Sequence, residues 1–140
     1  MYRLFGLIVF FLLACDGNKL PKVQVRTIDD RKVYLSDYRG KPVLLYVWSK
    51  TCAGHTADLR RLSKILEGRP DYWVISYAVA MTPQEVRQSY AELGIEGNFL
   101  TLVDTEVRLN DHIPITFLPS TYLFDAQGRL LKVYPGLAGW

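Results

Sequence analysis

The run Pro42-Val43-Leu44-Leu45-Tyr46-Val47-Trp48, followed by Ser49-Lys50-Thr51-Cys52-Ala53-Gly54-His55, decides the fold. Val43 to Trp48 are apolar and β-prone without interruption. They cannot alternate between core and solvent, so they read as a strand covered on both faces of a sheet. From Cys52 the period changes: Leu59, Leu62 and Leu66 recur at helical spacing, and Gly68 with Pro70 ends the pattern. A cysteine thus stands where a buried strand gives way to a helix.

The same alternation continues on either side. Trp73 to Ala80 is a second buried strand. Thr82-Pro83-Gln84-Glu85 then carries helix-start chemistry, with Thr82 as cap, Pro83 at the first helical position and Glu85 completing a capping box. Val86, Tyr90 and Leu93 form that helix's apolar stripe, and Gly94 is its left-handed stop. Phe99 to Val103 reads as a short strand. Upstream, Val23 to Thr27 and Lys32 to Leu35 flank Asp29-Asp30 as a hairpin, followed by a polar turn at Ser36 to Gly40. Downstream, Thr121 to Phe124 and Leu130 to Tyr134 flank Asp125-Ala126-Gln127-Gly128 as another. Strands alternating with helices and closed by a hairpin predict an α/β domain with a mixed central sheet.

The N-terminus is of another kind. Leu4 to Ala14 is apolar apart from Gly6, but as a helix it would span only about 16 Å, roughly half a bilayer core. It reads as the h-region of a signal peptide. Leu12-Leu13-Ala14-Cys15 resembles a bacterial lipobox, in which cleavage precedes a cysteine that then carries lipid. The expected organisation is a lipoprotein signal peptide at 1–14, lipidated cysteine and tether at 15–21, and one domain at 22–140. Asp16 resembles an inner-membrane retention signal, so the expected location is extracytoplasmic, lipid-anchored at the periplasmic face, inner membrane before outer. The net charge of +3 is mild and scattered. Arg60, Arg61 and Lys64 read as a solvated helix face, and no nucleic-acid partner is expected.

The chain has two cysteines. If lipid consumes Cys15, Cys52 is the one remaining thiol and an internal disulfide is excluded. At a helix start, unpaired backbone N–H groups favour thiolate over thiol. His55, three residues on, is a same-face neighbour that could favour the thiolate as imidazolium or take the proton as imidazole. Two blander readings stand beside this: an inert buried cysteine, and His55 as a polar first-turn residue. His112, in Asn110-Asp111-His112-Ile113-Pro114, reads as an ordinary loop histidine.

Gly40 to Trp48 followed by Cys52, together with Leu118-Pro119-Ser120-Thr121-Tyr122-Leu123-Phe124-Asp125 and Gly128-Arg129, resembles the two signatures of the thioredoxin-like extracytoplasmic redoxins of the TlpA/ResA type. The similarity runs from Val23 to Gly136. It implies a thioredoxin-like fold, with Cys52 as the attacking cysteine and Pro119 as a cis-proline facing the sulfur. Leu118 would offer backbone hydrogen bonds to a bound peptide. The departures are equally specific. His55 stands where the family has its second, resolving cysteine, Thr51 replaces a tryptophan, and Arg60 replaces a helix proline. The chain also stops at Trp140, where the family continues into a final helix.

The expectation is a single-cysteine, membrane-anchored thiol–disulfide oxidoreductase acting on envelope protein thiols and disulfides. An outside thiol would release the mixed disulfide, and no cofactor is implied. Cytochrome c maturation or envelope redox homeostasis is what the resemblance implies as setting. A peroxidase variant ranks lower, because the Pro-x-x-x-Thr-x-x-Cys pattern of peroxiredoxins is absent. Two readings from other classes stay open: a non-catalytic interaction module, and copper or zinc handling by Cys52 and His55 with His112 as third ligand.

Overall fold

A computed structural model describes residues 19–50, 55–137 and 139–140. Seven strands form one mixed sheet: β1 (Gln24–Thr27), β2 (Lys32–Tyr34), β3 (Val43–Trp48), β4 (Trp73–Val79), β5 (Leu100–Asp104), β6 (Ser120–Phe124) and β7 (Leu130–Pro135). The spatial order is β2-β1-β5-β4-β3-β6-β7. The centre is parallel, with β4 between β3 and β5, and both flanks are antiparallel hairpins. The N-terminal hairpin joins through β1 to β5, and β6 runs antiparallel to β3.

β3 is buried along its whole length, and its side chains divide the core. Leu44, Tyr46 and Trp48 face Leu59, Leu62 and Ile65 of helix α1 (His55–Gly68), and Val86 and Tyr90 of helix α2 (Pro83–Leu93). Val43, Leu45 and Val47 face the other way, into a cluster with Tyr122 and Phe124 of β6. Among the described residues no long helix covers that side. It is closed by Leu20, Val23 and Leu35, and by Leu109 and Ile113 from the segment before β6.

Local chemistry explains the ends of the elements. Thr82 Oγ1 accepts the Glu85 backbone N–H, Glu85 reaches back to the Thr82 N–H, and Gly94 closes α2 at φ 68°. Three expected boundaries shift. Leu35 leaves β2 and opens a 3-10 turn at Leu35–Tyr38 in place of a plain polar turn, because the Asp37 carboxylate accepts the Tyr34 backbone N–H. β4 ends at Val79, where Ala80 turns to φ 58°. β5 begins at Leu100 and not Phe99, whose ring packs edge-on against Tyr90. Among the described residues no helix is long and apolar enough to cross a membrane.

Candidate active site

The sheet carries the site at the end where β3 stops. Val47 pairs with Ser120 and Tyr46 with Thr121, so continuing the antiparallel register sets Pro119 beside Trp48. Beyond Trp48 the chain passes through the segment holding Cys52 and returns as α1, whose first described residue is His55. The strand that delivers the cysteine and the strand that follows the proline are therefore direct neighbours. The Leu118–Pro119 peptide is cis, as the resemblance implied, and both residues are half-buried.

The proline is held from β7. Its carbonyl accepts the Gly136 N–H at 3.0 Å, and the Gly136 carbonyl accepts the Thr121 hydroxyl. Gly136 has φ 54°, and a Cβ there would stand 3.3 Å from the Asp58 carboxylate. That carboxylate lies in the first turn of α1 and accepts the hydroxyl of the fully buried Tyr46 at 2.8 Å. One packed set thus joins β3, α1, the turn after β7 and the proline.

A second set fixes the end of β3. The Trp48 indole N–H donates to Ser76 Oγ at 2.8 Å. Ser76 Oγ shares a hydrogen bond with Tyr90 OH at 2.7 Å, and Tyr90 OH another with Thr101 Oγ1 at 2.9 Å. Trp48 and Tyr90 also stack, with ring centroids 6.1 Å apart. Burial raises the Tyr90 pKa, partly countered by its bonds to Ser76 and Thr101. This keeps the phenol neutral, as a buried donor and acceptor should be. Lys50, two residues before Cys52, meets Glu85 at 2.8 Å, tying the site segment to the capping box of α2.

Cys52 and the lipidation candidate Cys15 lie outside the described residues, as does the side chain of His55. His112 is exposed and follows the 3-10 turn at Arg108–Asp111. It lines an apolar cleft with Ile113, Pro114, Phe117 and Tyr122, on the loop that leads to Leu118. Among the described residues no group of three His, Cys, Asp or Glu is placed to hold a metal ion.

The reading of the residues missed Tyr46, Asp58 and the Trp48–Ser76–Tyr90–Thr101 chain. The available signal was a tyrosine and a tryptophan inside a wholly buried strand, since each carries a polar group that needs a partner. Arg60 also does more than face solvent: its guanidinium donates to the Leu93 carbonyl at 2.7 Å, joining α1 to the end of α2.

Comparison with known proteins agrees with this architecture. The chain is 22% identical over 121 residues to the thiol-disulfide oxidoreductase ResA of Bacillus subtilis, covering 86% of this chain and 68% of that protein. It is 25% identical over 134 residues to the peroxiredoxin Bcp of Bacillus subtilis, covering 83% and 82%. Among solved structures, the pneumococcal exposed lipoprotein thioredoxin of Streptococcus pneumoniae strain TIGR4 superposes with a TM-score of 0.70. It is 25% identical, over 84% of this chain and 90% of that one. The fold is the thioredoxin-like α/β fold. The model of the AhpC/TSA family matches residues 17–133. On that match, and with its relatives among the ResA-like proteins, the chain belongs to the AhpC/TSA family as a thioredoxin-like redoxin.

Proposed function

We propose that the protein is a single-cysteine thiol–disulfide oxidoreductase, tethered to a bacterial membrane by lipid on Cys15, that acts on extracytoplasmic protein thiols through Cys52. The observation that carries the reading is the register of β3 against β6, which makes the strand leading to Cys52 a neighbour of the Leu118–Pro119 segment. The similarity to ResA and to a lipoprotein thioredoxin supports the reaction class and the compartment.

The reaction follows from one thiol. The Cys52 thiolate attacks one sulfur of a substrate disulfide, forming a mixed disulfide and expelling the other sulfur as thiolate. His55 stands where a resolving cysteine would, so release falls to an outside thiol. That thiol attacks the mixed disulfide and returns Cys52 to its reduced form. If the attacking thiol belongs to the substrate, the outcome is isomerisation. If it belongs to a separate dithiol reductant, its first thiol attacks the Cys52 sulfur and expels the substrate as thiolate. Its second thiol then frees Cys52, and the reductant leaves as a disulfide, a net two-electron reduction of the substrate. His55 favours the thiolate, and Leu118 presents its backbone to the peptide.

Mixed disulfides trapped by acid quenching of intact cells test the reading. Adducts with envelope proteins are expected with the native chain and absent with Cys52→Ser; adducts that survive that change would overturn it. Palmitate labelling lost in Cys15→Ala tests the anchor. The similarity to peroxiredoxin Bcp favours a second reading, in which peroxide oxidises Cys52 to sulfenic acid. Peroxide consumption that requires Cys52, with no trapped protein adducts, would select it.

A further inference from the structure

β3 and α1 both run from one pole of the domain to the other, each about 20 Å long. One pole holds the candidate site. At the other, the tether joins the sheet: Leu20 N–H donates to the Gly128 carbonyl at 2.6 Å, and Lys19 bridges Arg129 at the β6–β7 turn. The beginnings of β3 and β4 lie there too, with Trp73 N–H donating to the Pro42 carbonyl and Lys41 standing 4.3 Å over the Trp73 ring.

The same pole carries the last turns of α1. There Arg61, Lys64 and Arg69 border an open cleft of about 350 Å³ whose floor includes Ile65 and Trp140, and no Asp or Glu side chain lines it among the described residues. The Arg69 guanidinium lies 5.4 Å from the Trp140 ring centroid and 5.6 Å from that of Tyr72. The two rings meet edge-on at 5.7 Å, both half-buried, and Arg61 donates to the main-chain oxygen of Trp140, which leaves Lys64 and Arg69 as the cations facing the cleft without that bond. Glu67 and Asp71 are the acidic residues near this turn in sequence, and neither lines the cleft.

Three cations around half-exposed aromatic rings suit an anionic phospholipid surface, where basic groups meet phosphate and Trp and Tyr settle at headgroup level. We propose that this pole is a membrane-facing surface. The cleft of Arg61, Lys64 and Arg69 takes the phosphate of an anionic lipid, Trp140 lies among the headgroups, and the candidate site is held outward. The proposal rests on the reading that Cys15 carries a lipid. From Cys15 to Leu20 the tether reaches at most about 17 Å, shorter than the domain, so the pole it joins stays nearer the bilayer than the site.

The test uses the full lipidated chain reconstituted into vesicles containing dibrominated lipid, with tryptophan quenching as readout. Quenching is expected in phosphatidylglycerol-containing vesicles and not in pure phosphatidylcholine, and in Trp140→Phe it should fall to the smaller contribution of the half-buried Trp73 at the same pole. Lys64→Glu should reduce the bilayer-contacting population about fivefold. Lys64→Glu with Arg69→Glu should abolish quenching, while the same charge reversal at Lys132 on β7 leaves it intact. The single Lys64→Glu change, at an exposed position, keeps the test meaningful if the double variant folds poorly. Chain that floats with the vesicles but shows no quenching, or equal quenching in both lipids, overturns the surface and leaves the anchor standing. Chain that does not float at all overturns both.

Discussion

The Tyr46 hydroxyl donates to the Asp58 carboxylate at 2.8 Å, so a wholly buried residue of β3 holds the first turn of α1. The bond spans the segment that contains Cys52, with one partner on each side of it in sequence. A hydrogen bond to a charged group contributes about 1.5–3 kcal/mol when its loss leaves the acceptor in place. Tyr46→Phe should therefore lower stability by about 2 kcal/mol, with the denaturant midpoint falling and the slope unchanged. The rate and pH dependence of Cys52 alkylation should move with it, because the start of α1 loses its tie to the strand. Equal stability of Tyr46→Phe and the native chain would show that the bond contributes nothing.

Ser76 is the shared partner in a buried chain from Trp48 to Thr101. Ser76→Ala removes the Ser76 acceptor of the Trp48 indole N–H and one of the two hydroxyl partners of Tyr90, at a cost of about 2 kcal/mol. Adding Tyr90→Phe should cost less than the sum of the two single changes, since each already breaks the Ser76–Tyr90 bond. A double-mutant cycle in urea measures the coupling; strict additivity would mean that the hydroxyls act independently.

Glu85 accepts Lys50 Nζ at 2.8 Å and the Thr82 N–H at 2.9 Å, and these bonds, the one to Lys50 foremost, hold its carboxyl below the ordinary value of 4.5. A carboxyl whose folded pKa is depressed adds stability above its unfolded pKa and loses it as pH falls through the folded value. Native chain and Lys50→Gln should thus differ in urea midpoint above pH 4.5 and converge below it. Both side chains are substantially exposed, so the gap should be small and should shrink further in salt. A gap that persists into acid would assign the effect to packing of the lysine stem.

How much was legible in the residues depended on how local the cause was. β3 and β4 are continuous apolar runs, and α2 carries its own start and stop in Thr82, Glu85 and Gly94, so their positions were readable. The 3-10 turn at Arg108–Asp111 was not. It depends on the buried Asp104, whose carboxylate accepts the backbone N–H groups of both Arg108 and Leu109 while also taking the Tyr77 hydroxyl. The pairing of β1 with β5 was equally hidden, because no feature near Arg26 names Val103 as its partner. At the site, Pro119 announced itself through its neighbours in sequence. Asp58 did not: a single acid in a charged first turn resembles any solvated helix start until Tyr46 is known to point at it.

The strand order also sets a sequence of events for the chain as it folds. β1–β2 and β6–β7 are neighbours along the chain and can close quickly, whereas β3 with β6 and β1 with β5 join residues more than seventy positions apart. Such distant pairings carry a large loop-closure cost and form slowly. The meeting of Trp48 with Pro119 belongs to this slow class. An unfolded chain therefore has its hairpins before it has its site, and the juxtaposition that defines the site is among the last things the fold makes.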